Sequence, residues 1–156
     1  MKKLLLNAAL IIAVTFLFGN CGGSGSETEN VETTPKPRLA GEDADPMENK
    51  GIGPVKSLNL PDAIDQAMAA EGAIIYVQYC TSCHKPGEKF IGPAPKDVLT
   101  RRSPEWIMNM ILNPEQMVKE DPIAKKLLVE YNMAPMANQN LTEEQARKIL
   151  EYFRTL

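Results

Sequence analysis

The strongest constraint in this 156-residue chain is five residues long: Cys80-Thr81-Ser82-Cys83-His84. His84 is the only histidine, and the third cysteine, Cys21, lies far upstream. Two thiols separated by two residues, with an imidazole directly after the second, limit what can be built around them. Such a pair is a redox dithiol, half of a metal site, or a covalent attachment point for a prosthetic group. Each choice demands a different surrounding sequence.

A structural zinc site takes four Cys or His ligands. One histidine and a remote Cys21 leave it short, so acidic residues would have to complete it. A thioredoxin-like dithiol sits beside a βαβ pattern, and none is present. A plain disulfide leaves His84 without a task. Covalent haem uses all three side chains. Two thiols on one helical turn reach the two vinyl groups of a porphyrin and add as thioethers. The next residue then lies under the ring and offers its imidazole to iron. One covalent haem c is therefore expected, held by Cys80 and Cys83, with His84 as an axial iron ligand. A second histidine ligand is impossible within one chain. The remaining position falls to a methionine, another side chain or water. Methionine sulfur suits haem iron and raises its potential. Of eight methionines, Met133 and Met136 lie in the segment Asn132-Met133-Ala134-Pro135-Met136-Ala137-Asn138, just ahead of the last predicted helix. Met68, Met108, Met110 and Met117 lie on or beside helices and read as core fillers.

The N-terminus reads as an address. Met1 to Lys3 is basic, and Leu4 to Phe18 is apolar apart from Asn7 and Thr15. That run is short for a membrane span, which needs about 20 residues. A basic start, a short apolar run and small residues describe a signal peptide over residues 1–20, hence export. Leu17-Phe18-Gly19-Asn20-Cys21-Gly22-Gly23-Ser24 resembles the lipobox of bacterial lipoproteins, whose cysteine becomes the lipidated first residue. The resemblance implies lipidation at Cys21 and attachment on the periplasmic side of a bacterial membrane. Ordinary signal cleavage is the competing outcome. Residues 21–57 are then expected to form a lipidated, flexible linker. They carry few large apolar side chains to offset the entropy of ordering. As a coil, residues 22–57 would average about 30–35 Å end to end. Without residues 1–20 the chain has 15 basic against 20 acidic side chains. That balance argues against nucleic acid as a partner.

Residues 58–156 are expected to form the folded domain, with four short helices and no strand. Pro61 suits a first helical position. Ile64, Met68, Gly72, Ile75, Tyr76 and Tyr79 recur at three- and four-residue steps, predicting a helix to about Tyr79. Ser103-Pro104-Glu105 is a helix start, with Trp106, Ile107, Met110 and Ile111 inward and Asn113-Pro114 as the stop. Asp121-Pro122 opens another helix with Ile123, Leu127 and Leu128 inward. Thr142-Glu143-Glu144-Gln145 reads as a capping box before Ala146, Ile149, Leu150 and Phe153. So small an all-α core is marginal alone, and a covalent cofactor would serve as its staple.

Over about residues 61–156 the chain resembles class I cytochromes c. Gly72-Ala73-Ile74-Ile75-Tyr76-Val77-Gln78-Tyr79-Cys80 is similar to that family's first helix, where a glycine and an aromatic precede the haem motif. The resemblance implies a close crossing of the first and last helices, with Gly72, Tyr76, Ile149 and Tyr152 at the contact. Ile91-Gly92-Pro93 resembles the loop whose proline carbonyl takes a hydrogen bond from the ligand histidine, which gives Pro93 that role toward His84. The family's ligand methionine precedes the last helix by a short spacing. Met136 fits it better than Met133, which stays as the rival, since the family's usual Met-Pro is absent and Pro135 precedes Met136.

The implied function is electron transfer by a monomeric, non-enzymatic carrier, iron cycling between ferric and ferrous with both axial positions filled. Lys85, Lys89, Lys96, Arg101 and Arg102 would surround the haem edge and steer acidic redox partners. Arg101-Arg102-Ser103-Pro104-Glu105-Trp106 with Asn138-Gln139-Asn140-Leu141-Thr142 also resembles small cytochromes associated with bacterial nitrous oxide reduction. That points to nitrous oxide reductase or a terminal oxidase as electron acceptors. Two readings compete: a five-coordinate haem with peroxidase-like or gas-binding activity, and a fixed haem subunit of a larger oxidoreductase.

Overall fold

The computed structural model describes residues 45–156. The expected signal peptide, the expected lipidation site Cys21 and the expected linker up to residue 44 lie outside the described residues. Five α-helices follow one another: α1 Gln66–Tyr79, α2 Pro104–Leu112, α3 Pro114–Glu120, α4 Pro122–Glu130 and α5 Glu143–Phe153, with a 3-10 turn at Val98–Thr100. No strand occurs among the described residues.

Three helix starts follow the predicted caps. Ser103 accepts from the Trp106 N–H ahead of α2 at 3.2 Å. Asp121 accepts from the Ala124 N–H ahead of α4 at 2.8 Å. Thr142 and Gln145 form a reciprocal capping box at α5. The extra helix is α3. Asn113-Pro114 ends α2 as expected, but Pro114 also opens the next helix, where its missing N–H costs nothing.

The first helix begins later than Pro61. Asp65 is the cap, accepting from the Met68 N–H at 3.0 Å. The carbonyls of Pro61 and Asp62 each accept from Arg154, the C-terminal cap of α5, at 2.7 Å, which holds them outside the helix. Glu151, also on α5, accepts from the Asp65 N–H at 2.7 Å. The start of α1 is thus set by the last helix.

The two helices then cross in contact. A Cβ on Gly72 would lie 1.9 Å from the Lys148 carbonyl oxygen, so only glycine permits this approach. Below the crossing, the Tyr76 ring meets Tyr152 at 5.3 Å and, edge-on, Phe153 at 5.8 Å between centroids. Met117, Ala124, Ala146, Ile149 and Leu150 are fully covered at the centre of the core.

The expected linker over residues 21–57 overlaps ordered chain at its end. Its last part, residues 49–58, is a strap laid along α2 and α3. Asn109 holds it: Oδ1 accepts from the Val55 N–H at 3.0 Å, and Nδ2 donates to the carbonyls of Lys50 and Val55 at 2.8 Å each. Ser103 donates to the Asn49 carbonyl at 2.5 Å. Asn113 donates to the Ile52 carbonyl at 3.3 Å, and Glu105 accepts from the Leu58 N–H at 3.3 Å. Only Val55 of the strap is a buried apolar residue. Hydrogen bonds from helix side chains to strap backbone order this segment, and hydropathy does not register them. The strap also explains why Met108 and Asn109 are buried alongside the predicted stripe of α2.

Candidate functional site

The cysteine–histidine motif begins where α1 stops. Cys80 is the C-terminal cap, its N–H donating to the Tyr76 carbonyl at 2.9 Å. The N–H groups of Cys83 and His84 both return to the Cys80 carbonyl, at 3.1 and 2.8 Å, so the motif is one tight turn. The following loop comes back beneath it: Gly92 N–H donates to the Cys83 carbonyl at 2.8 Å.

That return sets the histidine. His84 Nδ1 lies 2.8 Å from the Pro93 carbonyl oxygen. A carbonyl can only accept, so Nδ1 carries the proton and Nε2 keeps its lone pair. Gly92 lies against the ring, where a Cβ would sit 2.4 Å from Cε1. The Tyr76 hydroxyl donates to the His84 carbonyl at 2.8 Å. Burial, then the neighbouring Cys80 and Tyr152, push this phenol up to about 12, so it stays a donor at any physiological pH.

His84, Cys80 and Cys83 open onto one cavity, walled by Met110, Leu127 and Met136 among other mainly apolar side chains. Met136 is partly buried against the core. Met133 is 62% exposed, has φ +60°, and does not line this cavity. It turns outward because its N–H closes the end of α4 on the Leu128 carbonyl at 2.8 Å. Cys83 is exposed and Cys80 is half-buried. Burial, then Cys83, pushes the Cys80 thiol up to about 11, opposite to the lowered thiol of a working redox dithiol. No group of three His, Cys, Asp or Glu side chains capable of holding a metal occurs among the described residues.

Arg101 and Arg102 also line the cavity. The Arg102 guanidinium lies over the Trp106 ring, 5.4 Å from its centroid, and its Nε is buried with no hydrogen-bond partner. Of the other basic residues, Lys85 pairs with Glu88 at 2.9 Å and lies over Phe90, and Lys89 lies over Tyr131. Sequence reasoning missed the Tyr76 hydroxyl and placed Arg102 with the surface charges. The stacking partner of Arg102, Trp106, was visible four residues on, at helical spacing.

These residues suit a flat apolar group that carries iron and acid side chains. They offer two thiols, one imidazole lone pair, a thioether, apolar walls and a half-buried cation whose Nε–H lacks an acceptor. The comparisons agree. The family model described as "Cytochrome C oxidase, cbb3-type, subunit III" matches residues 67–153, more than half of the chain. A cytochrome c from Rhodothermus marinus has 48% identity over 66% of this chain and 88% of its own, with a TM-score of 0.64. An engineered form of it, with the same identity and score, covers 89% of its own length. The cytochrome c domain of the pp3183 protein from Pseudomonas putida is 29% identical over 54% of this chain and 85% of its own, with a TM-score of 0.50. No curated protein matches the chain significantly. The chain therefore belongs to the family described as cytochrome C oxidase, cbb3-type, subunit III, and is a class I c-type cytochrome whose cofactor is a covalently bound c-type haem.

Proposed function

We propose that this haem-based electron carrier moves single electrons between respiratory components on the periplasmic side of a bacterial membrane, anchored there by lipid on Cys21. When bound, the haem supplies one-electron chemistry through its iron. Cys80 and Cys83 hold it as thioethers, His84 offers Nε2 to the iron, and Pro93 keeps that tautomer. Met136, on the wall of the same cavity, would be the second residue to hold the iron. The observation that carries the reading is that His84 and Met136 line the same cavity while Met133 lies outside it. With His84 and Met136 both holding the iron, no open site would remain for a substrate, which favours a carrier over an enzyme.

The test is the absorption spectrum of protein matured with covalent haem. The weak long-wavelength band of iron–sulfur ligation is expected in the wild type and in Met133→Ala, and absent in Met136→Ala. Its loss only in Met133→Ala would transfer the role to Met133. Its absence from the wild type, with carbon monoxide binding at neutral pH, would favour an open site. One observation favours that second reading: an engineered form of the Rhodothermus marinus relative has been solved bound to a carbene intermediate.

Lys85, Lys89, Lys96 and Arg101 are exposed on the segment after the motif. They suit an acidic partner such as nitrous oxide reductase or a terminal oxidase. Steering of this kind weakens with ionic strength. Electron-transfer rates should therefore fall as salt is added, and a flat response would remove the steering. The family description favours a fixed haem subunit as the competing arrangement, which co-purification with large subunits would reveal.

A further inference from the structure

We infer that the strap is linked to the redox state of the iron: Asp121 couples residues 49–58 to the cavity wall, so release of the strap lowers the reduction potential and reduction tightens the strap. The inference rests on haem occupying the cavity. Trp106 is the shared element. Its indole is buried and lines the cavity. Two groups hold its outer edge. The indole N–H donates to Asp121 Oδ1 at 3.1 Å. A Cβ on Gly51 of the strap would lie 3.2 Å from indole Cδ1 and 2.8 Å from Met117 Sδ, so strap backbone closes directly over this edge. Gly51 has φ +70°, which glycine adopts without strain.

Asp121 joins the two. Its carboxylate is buried, and Oδ2 accepts from Asn49 Nδ2 of the strap at 2.7 Å. The other end of the same Asn49 amide accepts from the Gly51 N–H at 2.7 Å. One strap side chain thus fixes both the glycine that covers the indole and the carboxylate that orients it. The strap is also a segment that opens at low cost. Val55 is its one buried apolar side chain. The amides of Gly51, Ile52 and Val55 all donate to side chains: Asn49 Oδ1, Met117 Sδ at 2.9 Å and Asn109 Oδ1 at 3.0 Å. Segments with few buried apolar contacts open locally without unfolding the rest. When this one lifts, water reaches Asp121 and the edge of the indole.

The consequence has a definite sign. A wetter cavity wall favours ferric iron, which carries the extra charge, so an open strap means a lower potential. Linkage is reciprocal: the factor by which strap release lowers the reduction constant is the factor by which reduction raises strap protection. The test is amide hydrogen exchange in the haem-loaded full chain, oxidised and reduced. Gly51, Ile52 and Val55 should exchange about tenfold more slowly in the reduced protein, with a smaller factor across α5. Asn49 and Asn109 do not line the cavity. Asn49→Ala and Asn109→Ala should nevertheless lower the potential, toward a limit of about tenfold in the reduction constant, 59 mV for one electron, as the strap is fully released. A strap with a structural role alone would lose stability in these variants at an unchanged potential. That result, alongside faster strap exchange, would overturn the inference. So would equal strap protection in both redox states, or one common factor for every amide, which would mark a global effect. Should neither variant yield holoprotein, the two redox states of the wild type decide by the same exchange criterion. Absence of thioether-linked haem from the wild type, read by its pyridine spectrum, would defeat the cofactor reading first and this linkage with it.

Discussion

Replacing Gly92 by alanine would put a Cβ 2.4 Å from Cε1 of His84. The backbone there has ordinary φ, so the penalty is contact alone. The ring must tilt, and its bond to the Pro93 carbonyl must lengthen. Cys80 and Cys83 are untouched, so Gly92→Ala should still acquire covalent haem. It should show a larger high-spin fraction in its spectrum and lose about 1–3 kcal/mol in denaturant titration. A spectrum and stability equal to wild type would mean the ring moves without consequence. At this scale most of the site was legible, because its chemistry is nearly contiguous: Cys80, Cys83, His84 and Pro93 lie within fourteen residues. Met136 and Met133 share one loop and one chemistry. The feature that separates them, the outward turn of Met133 at the end of α4, depends on backbone geometry that residue types do not encode. Arg102 was hidden for a related reason: a half-buried arginine and a surface arginine look alike in a sequence.

Among the elements, the α1–α5 crossing and the strap have opposite relations to sequence. Gly72 sits where a Cβ would meet the Lys148 carbonyl oxygen at 1.9 Å, and backbone cannot yield as a side chain can. Gly72→Ala should force the helices apart and lower stability by about 3 kcal/mol or more despite its better helix propensity, read as a fall in thermal midpoint and in holoprotein yield. That position was visible as a glycine one helical turn before an aromatic. The strap was not, because its apolar content is low and its partners lie 54 and 59 residues away on Asn109. Asn109→Ala should leave the Lys50 carbonyl and both polar groups of Val55 unpaired, costing about 2–3 kcal/mol. Hydrogen exchange should then show faster exchange at Val55 with little change in α5. Unchanged exchange there would mean the strap is held by something other than Asn109. The start of α1 failed in the same way: Pro61 obeys the local rule for a first turn, but Arg154 takes the carbonyls beside it.

For the molecule as a whole, acid response should centre on Glu151. It is fully buried, and burial alone would raise its pKa. Bonds from Arg147, the Asp65 N–H and Arg154 outweigh that and hold the carboxyl below the ordinary glutamate value of 4.5. A folded value below the unfolded one means the contribution is complete above the unfolded value and is lost as pH falls toward and through the folded one. The thermal midpoint should therefore drop below about pH 4.5, and Glu151→Gln should flatten that part of the profile. At neutral pH the same variant leaves Arg147 and Arg154 facing no charge, at a cost of about 3–5 kcal/mol. An acid limb unchanged in Glu151→Gln would place the response elsewhere.

The strap also has a mechanical meaning. Tension entering from the N-terminal side reaches Asn49 first, held by Ser103 and Asp121, and then Lys50 and Val55, held by Asn109. These bonds follow one another along the strap, so each must open before the pull passes further along the chain. Resistance to such a pull is a matter of the unfolding barrier rather than of equilibrium stability. Force is therefore spent on α2 and α3 before it can reach Cys80, much as a clamp at the plug keeps a tugged cable from straining its contacts.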